Sequence, residues 1–284
     1  MSDLGPLETL YEPDRGGADL PLPPELAALY WPLRFPLHPG RPYLIGNFVT
    51  SLDGVASLAT PGHEGGGPIS GHDPHDRMVM GLLRAAADVV VVGAGTQRAA
   101  SPRHLWTAEY IDPALADSYR ALRARLGRPR PPLNAVVTAR GEIDPGRRLF
   151  RSGEVPVLIV TTAAGSRRLQ GLGLPPSVQV AGTEGPDRLS ARSIVDAIGR
   201  TRASDVVLVE GGPHLLGDFL AEGLLDELFL TLAPQVAGRD GAATRPGLVA
   251  GRTFAPEHPL WATLVGVKRG GSHLFLRYAF RAAG

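Results

Sequence analysis

Three glycine-bearing turns, each closing an apolar run, are the places where this 284-residue sequence could do chemistry. The first is Ser51-Leu52-Asp53-Gly54. A carboxylate at Asp53 could reach a ligand, although Asp-Gly is equally a good turn dipeptide, so scaffold and function both stay open there. The second is Val92-Gly93-Ala94-Gly95-Thr96. Gly93 and Gly95 allow close backbone approach, and Thr96 could cap a short helix or bond a phosphate. Arg98 stands where a Gly-x-Gly-x-x-Gly fingerprint would have its third glycine, so that motif is not the one present. The third is Val209-Glu210-Gly211-Gly212-Pro213-His214, running straight into a helix whose first position suits Pro213. A phosphate resting there would gain about 0.3–1 kcal/mol from the helix dipole at an exposed site. Glu210 ends a buried apolar strand, which is costly for a carboxylate without a partner or a task.

The elements that must hold these turns alternate between strand and helix. Residues 43–49 are a short apolar run bounded by turn signals, hence a strand. Met78, Leu82, Ala85 and Ala86 recur at helical spacing over 74–87, and 88–93 is a continuous β-branched strand buried on both faces. A helix over 113–126, strands over 133–138, 155–161 and 178–181, and a helix over 190–200 with Ser190 as N-cap follow. Strand 205–210 then leads through the third turn into a helix ending at Ala221, and 226–233, 260–267 and 273–280 come without intervening helices. The order predicts an α/β fold with a mixed, mostly parallel central sheet flanked by helices and antiparallel C-terminal strands. In such a sheet ligands bind outside the carboxyl ends of the strands, where all three turns fall. Residues 1–40 read as a Pro-rich arm packed on the body, since Leu26, Leu29, Tyr30, Trp31 and Phe35 call for burial; 41–284 read as one domain, with 60–68 and 237–256 as long surface loops.

Composition narrows the function. Lys and Arg number 29 against 28 Asp and Glu, scattered without a basic block, and Lys268 is the only lysine. That argues against a nucleic-acid partner. With no cysteine, disulfides, iron–sulfur clusters and thiolate zinc sites are excluded. No leader pattern or membrane-spanning apolar run is evident, so a cytoplasmic protein is expected. His72 and His75 flank Asp73, with His63 and Glu64 upstream, but a Gly-rich loop entering a helix is the simpler reading, and no metal is expected.

The three turns, in this order and spacing, also carry a resemblance. Residues 41–56 (RPYLIGNFVTSLDGVA), 83–102 (LRAAADVVVVGAGTQRAASP) and 207–238 (VLVEGGPHLLGDFLAEGLLDELFLTLAPQVAG) are similar to the reductase domain of the bifunctional riboflavin-biosynthesis deaminase-reductase and its stand-alone relatives. The resemblance implies a dihydrofolate-reductase-like fold, NADPH across the strand ends, and reduction of a phosphoribosylamino-pyrimidine by hydride transfer to the sugar C1′. It puts Thr50, Gly93, Gly95, Thr96, Gly211, Gly212, Pro213, His214, Leu215 and Leu216 around NADPH. Asn47, Asp53, Arg84 and Glu210 fall around the substrate, with Asp53 and Glu210 as the catalytic carboxylates, and a homodimer is implied. Many bacterial members have Lys at the position of Asn47, and Asp-Asp-Pro where this chain has Ala100-Ser101-Pro102. Dihydrofolate or another pteridine-like substrate, or NADPH binding without turnover, are the alternatives. A zinc deaminase domain needs a Pro-Cys-x-x-Cys motif, which a chain without cysteine cannot supply. Thr138 and Arg140 end an apolar strand, with Arg98 in the neighbouring turn, and an arginine there could favour NADPH over NADH through the 2′-phosphate. The apolar closing strands, with Leu228-Phe229-Leu230 and Leu274-Phe275-Leu276, offer an edge for dimerisation.

Overall fold

The computed structural model describes residues 4–36, 38, 40–60, 62–63, 65–183, 188–240 and 245–280. Its strands are β1 (Glu8–Tyr11), β2 (Tyr43–Thr50), β3 (Val89–Gly93), β4 (Leu133–Thr138), β5 (Val157–Thr162), β6 (Val178–Thr183), β7 (Val206–Val209), β8 (Glu227–Leu232), β9 (Ala262–Gly270) and β10 (His273–Phe280). They form a single 10-stranded sheet in the order β1-β9-β10-β8-β2-β7-β3-β4-β5-β6. From β8 to β6 every neighbouring pair is parallel. β10, β9 and β1 continue the sheet antiparallel. The mixed, mostly parallel sheet expected from the sequence is therefore present. One detail differs: β8 pairs parallel with β2, and β10 is inserted between β8 and β9. Neither β8 nor β10 is an edge, so the closing strands do not offer the free edge expected of them.

The central strands are buried because their sequences are. Val89 to Val92 and Val206 to Val209 are all nearly inaccessible, and burying one such side chain contributes about 1.5–3 kcal/mol. On one face pack the helices Pro74–Ala86 and Ala116–Arg125. Asp73 caps the first of these by accepting from the Asp76 amide, and Met78, Leu82, Ala85 and Ala86 are its buried stripe. On the other face lie the helices Ala191–Thr201, N-capped by Ser190, and Pro213–Ala221.

Residues 4–36 wrap the first face at the antiparallel end. Leu26, Leu29, Tyr30, Leu33 and Phe35 are buried, but the Trp31 ring is 49% exposed, against expectation. Its carbonyl is what the fold uses, accepting from the Lys268 ammonium at 3.1 Å. Lys268 and Arg277, both buried, lie 3.6 and 3.2 Å from Glu12, and Arg277 also reaches the fully buried Glu227 at 2.6 Å. β1 covers the edge of β9, in register Glu8 to Arg269 and Thr9 to Lys268.

Candidate active site

Two of the glycine turns are built against each other. β3 and β7 are neighbours, with Val91 opposite Val209, so their loops emerge side by side at the carboxyl end of the sheet. A Cβ on Gly211 would stand 3.2 Å from the Gly93 nitrogen and 2.3 Å from Leu215 Cδ2, and one on Gly212 would stand 3.4 Å from the Thr96 hydroxyl. A side chain at Gly211 would collide with Leu215 and crowd the Gly93 backbone, whereas one at Gly212 would make ordinary contact with Thr96. At Gly93 and Gly95, by contrast, an added Cβ meets nothing within 4 Å. The result is a backbone floor, open above Gly93 and Gly95, with two helices starting from it: Ala94–Ala99 and Pro213–Ala221. A helix start leaves its first N–H groups unpaired by construction, which suits an oxyanion. From the resemblance, the phosphates of NADPH are expected over that floor.

The residues expected around this group divide by the structure. Thr96, Gly212 and Pro213 line the floor half-buried, while Gly95 and His214 are exposed. Leu215 and Leu216 are core residues, 8% and 0% exposed, so a ligand could meet only their backbone. Thr50 is buried at the end of β2, and its carbonyl accepts from the Ala233 amide at 2.8 Å. Thr138 ends β4 with its hydroxyl accepting from the Glu142 amide at 3.1 Å. Arg140 projects beyond it and pairs with the Glu142 carboxylate, Nε to Oε1 at 3.1 Å.

Glu210 has the partner its burial demands. Arg84, from the last turn of the helix Pro74–Ala86, donates through Nε to both carboxylate oxygens at 3.2 and 2.9 Å and through its second terminal nitrogen at 2.8 Å. The two side chains are 3% and 6% exposed. Asn47 Nδ2 lies 3.5 Å from Glu210 Oε1, and Arg84 also donates to the Thr107 carbonyl at 3.2 Å. Three of the four residues expected at the substrate are thus one hydrogen-bonded group directly behind the third turn.

Asp53 is not part of that group. Its carboxylate accepts from the Ser51 hydroxyl at 2.6 Å and from the amides of Ala237 and Gly238 at 3.0 and 2.8 Å. Those hydrogen bonds, the Ser51 hydroxyl foremost, hold its pKa down at about 2. An Asp so engaged is ionised at neutral pH and ties the turn after β2 to the loop after β8.

The family model for the RibD C-terminal domain matches residues 42–274, which hold all three turns and the Arg84–Glu210 pair. The chain belongs to the RibD C-terminal domain family. A similar RibD-type relative is the 2,5-diamino-6-ribosylamino-4(3H)-pyrimidinone 5′-phosphate reductase of Methanothermobacter thermautotrophicus, 29% identical over 204 residues, which are 72% of this chain and 83% of the relative. Among solved structures, a pyrimidine reductase-like protein from Corynebacterium diphtheriae matches with a TM-score of 0.64 and 24% identity, covering 84% of this chain and 92% of the other. The riboflavin biosynthesis reductase of Saccharomyces cerevisiae shares the fold at a TM-score of 0.57 and 15% identity, covering 87% of this chain and 93% of that one. This RibD C-terminal domain is an oxidoreductase.

One residue of this RibD C-terminal domain escaped the sequence reading. His104 is wedged between the rings of Trp106 and Tyr110, with centroids 4.5 and 4.6 Å away. Burial, and secondarily the Arg84 cation, lower its pKa to about 3, so the ring is neutral, and its buried Nε2 has no hydrogen-bond partner. A lone His in an irregular segment gives no pattern to read; only its proximity to Arg84 marks it. His72 and His75 do not converge on a ligand set: His75 Nε2 contacts the Gly5 carbonyl at 2.9 Å. Glu64 lies outside the described residues. Among the described residues no group of three or more His, Asp or Glu could hold a metal ion, and no helix is long and apolar enough to cross a membrane. A separate hollow of about 520 Å³ opens near the amino ends of β2 and β7, lined by Arg41, Leu44, Arg192 and Arg202, away from every turn described above.

Proposed function

We propose that this chain is an NADPH-dependent reductase of a phosphoribosylamino-pyrimidine in riboflavin biosynthesis, with hydride delivered to the sugar C1′. The observation that carries this reading is the buried Arg84–Glu210–Asn47 group, which stands directly behind the paired glycine turns. The nicotinamide supplies the hydride when bound. The chain's own part is orientation. Backbone N–H groups at Gly93–Thr96 and Gly211–Leu215 hold the phosphates, and the Glu210 carboxylate and Asn47 amide orient the polar edge of the pyrimidine. Asp53, ionised and bonded to Ser51, Ala237 and Gly238, acts as a positioning residue for the loop at 237–238. The name of the Methanothermobacter relative supports the substrate class.

The test is NADPH oxidation followed at 340 nm with a panel holding the phosphoribosylamino-pyrimidine and dihydrofolate. Turnover of the first alone is the expected result. The segment Ala100-Ser101-Pro102, where the resemblance would have Asp-Asp-Pro, is the specific reason to keep dihydrofolate in the panel. Turnover of dihydrofolate alone would overturn the substrate assignment, and binding of NADPH without oxidation by either would overturn the assignment of activity. We also propose a cytoplasmic homodimer. Leu260, Trp261 and Leu264, which are 45%, 83% and 36% exposed at the start of β9, form an apolar patch suited to a second copy. A monomeric mass by light scattering at micromolar concentration would exclude the dimer.

A further inference from the structure

At the carboxyl ends of β3, β4 and β5, three arginines from three elements converge on one acidic residue. Arg140 follows β4 and forks onto the Glu142 carboxylate, Nε to Oε1 and a terminal nitrogen to Oε2, both at 3.1 Å. Arg168, from the helix Ala163–Gln170, approaches the same carboxylate at 3.5 Å. Arg98, from the helix that starts at the second glycine turn, donates to the Glu142 carbonyl at 2.9 Å. The Glu142 amide is fixed by the Thr138 hydroxyl at 3.1 Å. The backbone beneath is tight: a Cβ on Gly141 would stand 2.4 Å from the Gly165 carbonyl oxygen, so the β4 turn and the helix bearing Arg168 are locked together. The guanidinium groups remain largely in solvent, with Arg140 79% and Arg168 60% exposed and Glu142 at 35%. As a stabilising ion pair this arrangement contributes little. It is instead a bidentate anion fork, next to the open floor at Gly93 and Gly95, already holding a carboxylate.

We propose that Glu142 is an internal counter-ion that occupies the Arg140–Arg168 fork and sets how strongly the chain prefers a nucleotide carrying a 2′-phosphate over one with a free 2′-hydroxyl. The proposal rests on the nicotinamide-nucleotide reading above. A 2′-phosphate entering the fork must displace the carboxylate and then bear its repulsion. A 2′-hydroxyl faces neither penalty and can donate to Glu142. Removing the charge while keeping the shape therefore raises affinity for the phosphate alone. A unit charge about 4 Å away in water-like surroundings changes affinity about fivefold, and a dianionic phosphate feels about twice the energy, so a gain of about five- to thirtyfold is expected.

The test is calorimetric titration of adenosine 2′,5′-bisphosphate and of 5′-AMP into the full chain, the Glu142→Gln variant, and Glu142→Gln combined with Arg140→Gln. The expected result is tighter binding of the bisphosphate by Glu142→Gln, unchanged or weaker binding of 5′-AMP, and loss of the gain in the double variant. If Glu142→Gln shifts both nucleotides equally, or neither, or if the gain survives without Arg140, the assignment of Glu142 is overturned while the nucleotide reading stands. If the unaltered chain binds neither nucleotide, the nicotinamide-nucleotide reading itself fails, and the role of Glu142 with it.

Discussion

Replacing Glu210 with Gln should destabilise the chain well beyond what an isosteric change usually does. In the native group Glu210 Oε2 accepts two hydrogen bonds from Arg84, at 2.9 and 2.8 Å, while Oε1 faces Arg84 Nε at 3.2 Å and Asn47 Nδ2 at 3.5 Å. A glutamine can turn its carbonyl toward the first pair, but its NH₂ then points at two donors. One charge-assisted hydrogen bond, worth roughly 1.5–3 kcal/mol, is lost. The Arg84 cation, whose side chain is 3% exposed, is also left without a counter-charge. Removing one partner of a buried pair costs about 3–5 kcal/mol, and the retained contacts pull the value toward the lower end, about 3 kcal/mol. At roughly 2–4 °C per kcal/mol for chains approaching this size, Tm should fall by about 6–12 °C. Because water is excluded from the pair, the loss should change little between low and high salt. Thermal unfolding followed by circular dichroism checks this, with Arg84→Gln and the double variant completing a cycle. The double variant should recover part of the loss, since it leaves no unpaired buried charge. A Glu210→Gln protein melting within about 2 °C of the unaltered chain would refute the claim that the buried pair carries this stability, and would leave Glu210 with substrate orientation as its only role.

Asp53→Asn should leave the fold intact and loosen the loop, because an amide cannot accept from Ser51, Ala237 and Gly238 at once. Hydrogen exchange at Ala237 and Gly238 should rise, and unchanged protection there would show that the clamp is not what Asp53 provides. The folded pKa of Asp53 lies below its ordinary value of 3.8, at about 2, so the clamp is fully formed above about pH 5 and fades as pH falls through that interval. His104 works in the same direction from a different cause. Its folded pKa of about 3 lies below the ordinary 6.5, so the folded state binds fewer protons, and stability is lost progressively as pH drops from about 6.5. His104→Phe should flatten that acid limb, and a slope in urea midpoints against pH that is unchanged by the substitution would exclude the ring as its source. Glu12→Ala should cost about 2–4 kcal/mol, since Lys268 and Arg277 both lose their shared carboxylate, and a urea midpoint shift below a tenth of a molar would contradict it.

The three turns were legible because glycine and proline punctuate so strongly, and the central strands because Val89–Gly93 and Val206–Val209 are unbroken apolar runs with nowhere to go but a sheet interior. Other features left weaker marks. The helix Ala163–Gln170 carries Gly165 and Ser166 in its first turn, which weakens its helical signal, and it is held by the Thr162 side-chain cap and by packing against β5 and β6. β1 is four exposed residues with no periodicity to detect. The closing strands were read as one antiparallel set because no helix separates them. Parallel pairing of β8 with β2 depends on the helix Pro213–Ala221 acting as the crossover from β7 to β8. In the site, Asn47, Arg84 and Glu210 do converge, but the occupation of Asp53 was hidden: its amide partners lie 184 and 185 positions away in a loop of Ala, Gly and Arg with no motif. Arg140 was visible as a strand-end charge. That its neighbour Glu142 is the acid in its fork follows from the bend at Gly141, where φ is +65°, and not from residue type.

The pairing of β1 with β9 joins Glu8 to Arg269, 261 positions apart, so β1 leaves the ribosome well before its partner. At about 5–20 residues per second, roughly 10–50 s of synthesis separate the two. During that interval the parallel strands can assemble by local crossovers, but the apolar stretch around Leu26 to Phe35 has no complete surface to dock on. Closing so long a loop follows the local crossovers, because its entropy cost must be met before the β1–β9 contacts repay it. The stage most exposed to aggregation is therefore the chain still awaiting β9 and β10, and variants that slow the β9–β10 hairpin at Gly271 should lower soluble yield more than they lower the stability of the molecules that fold.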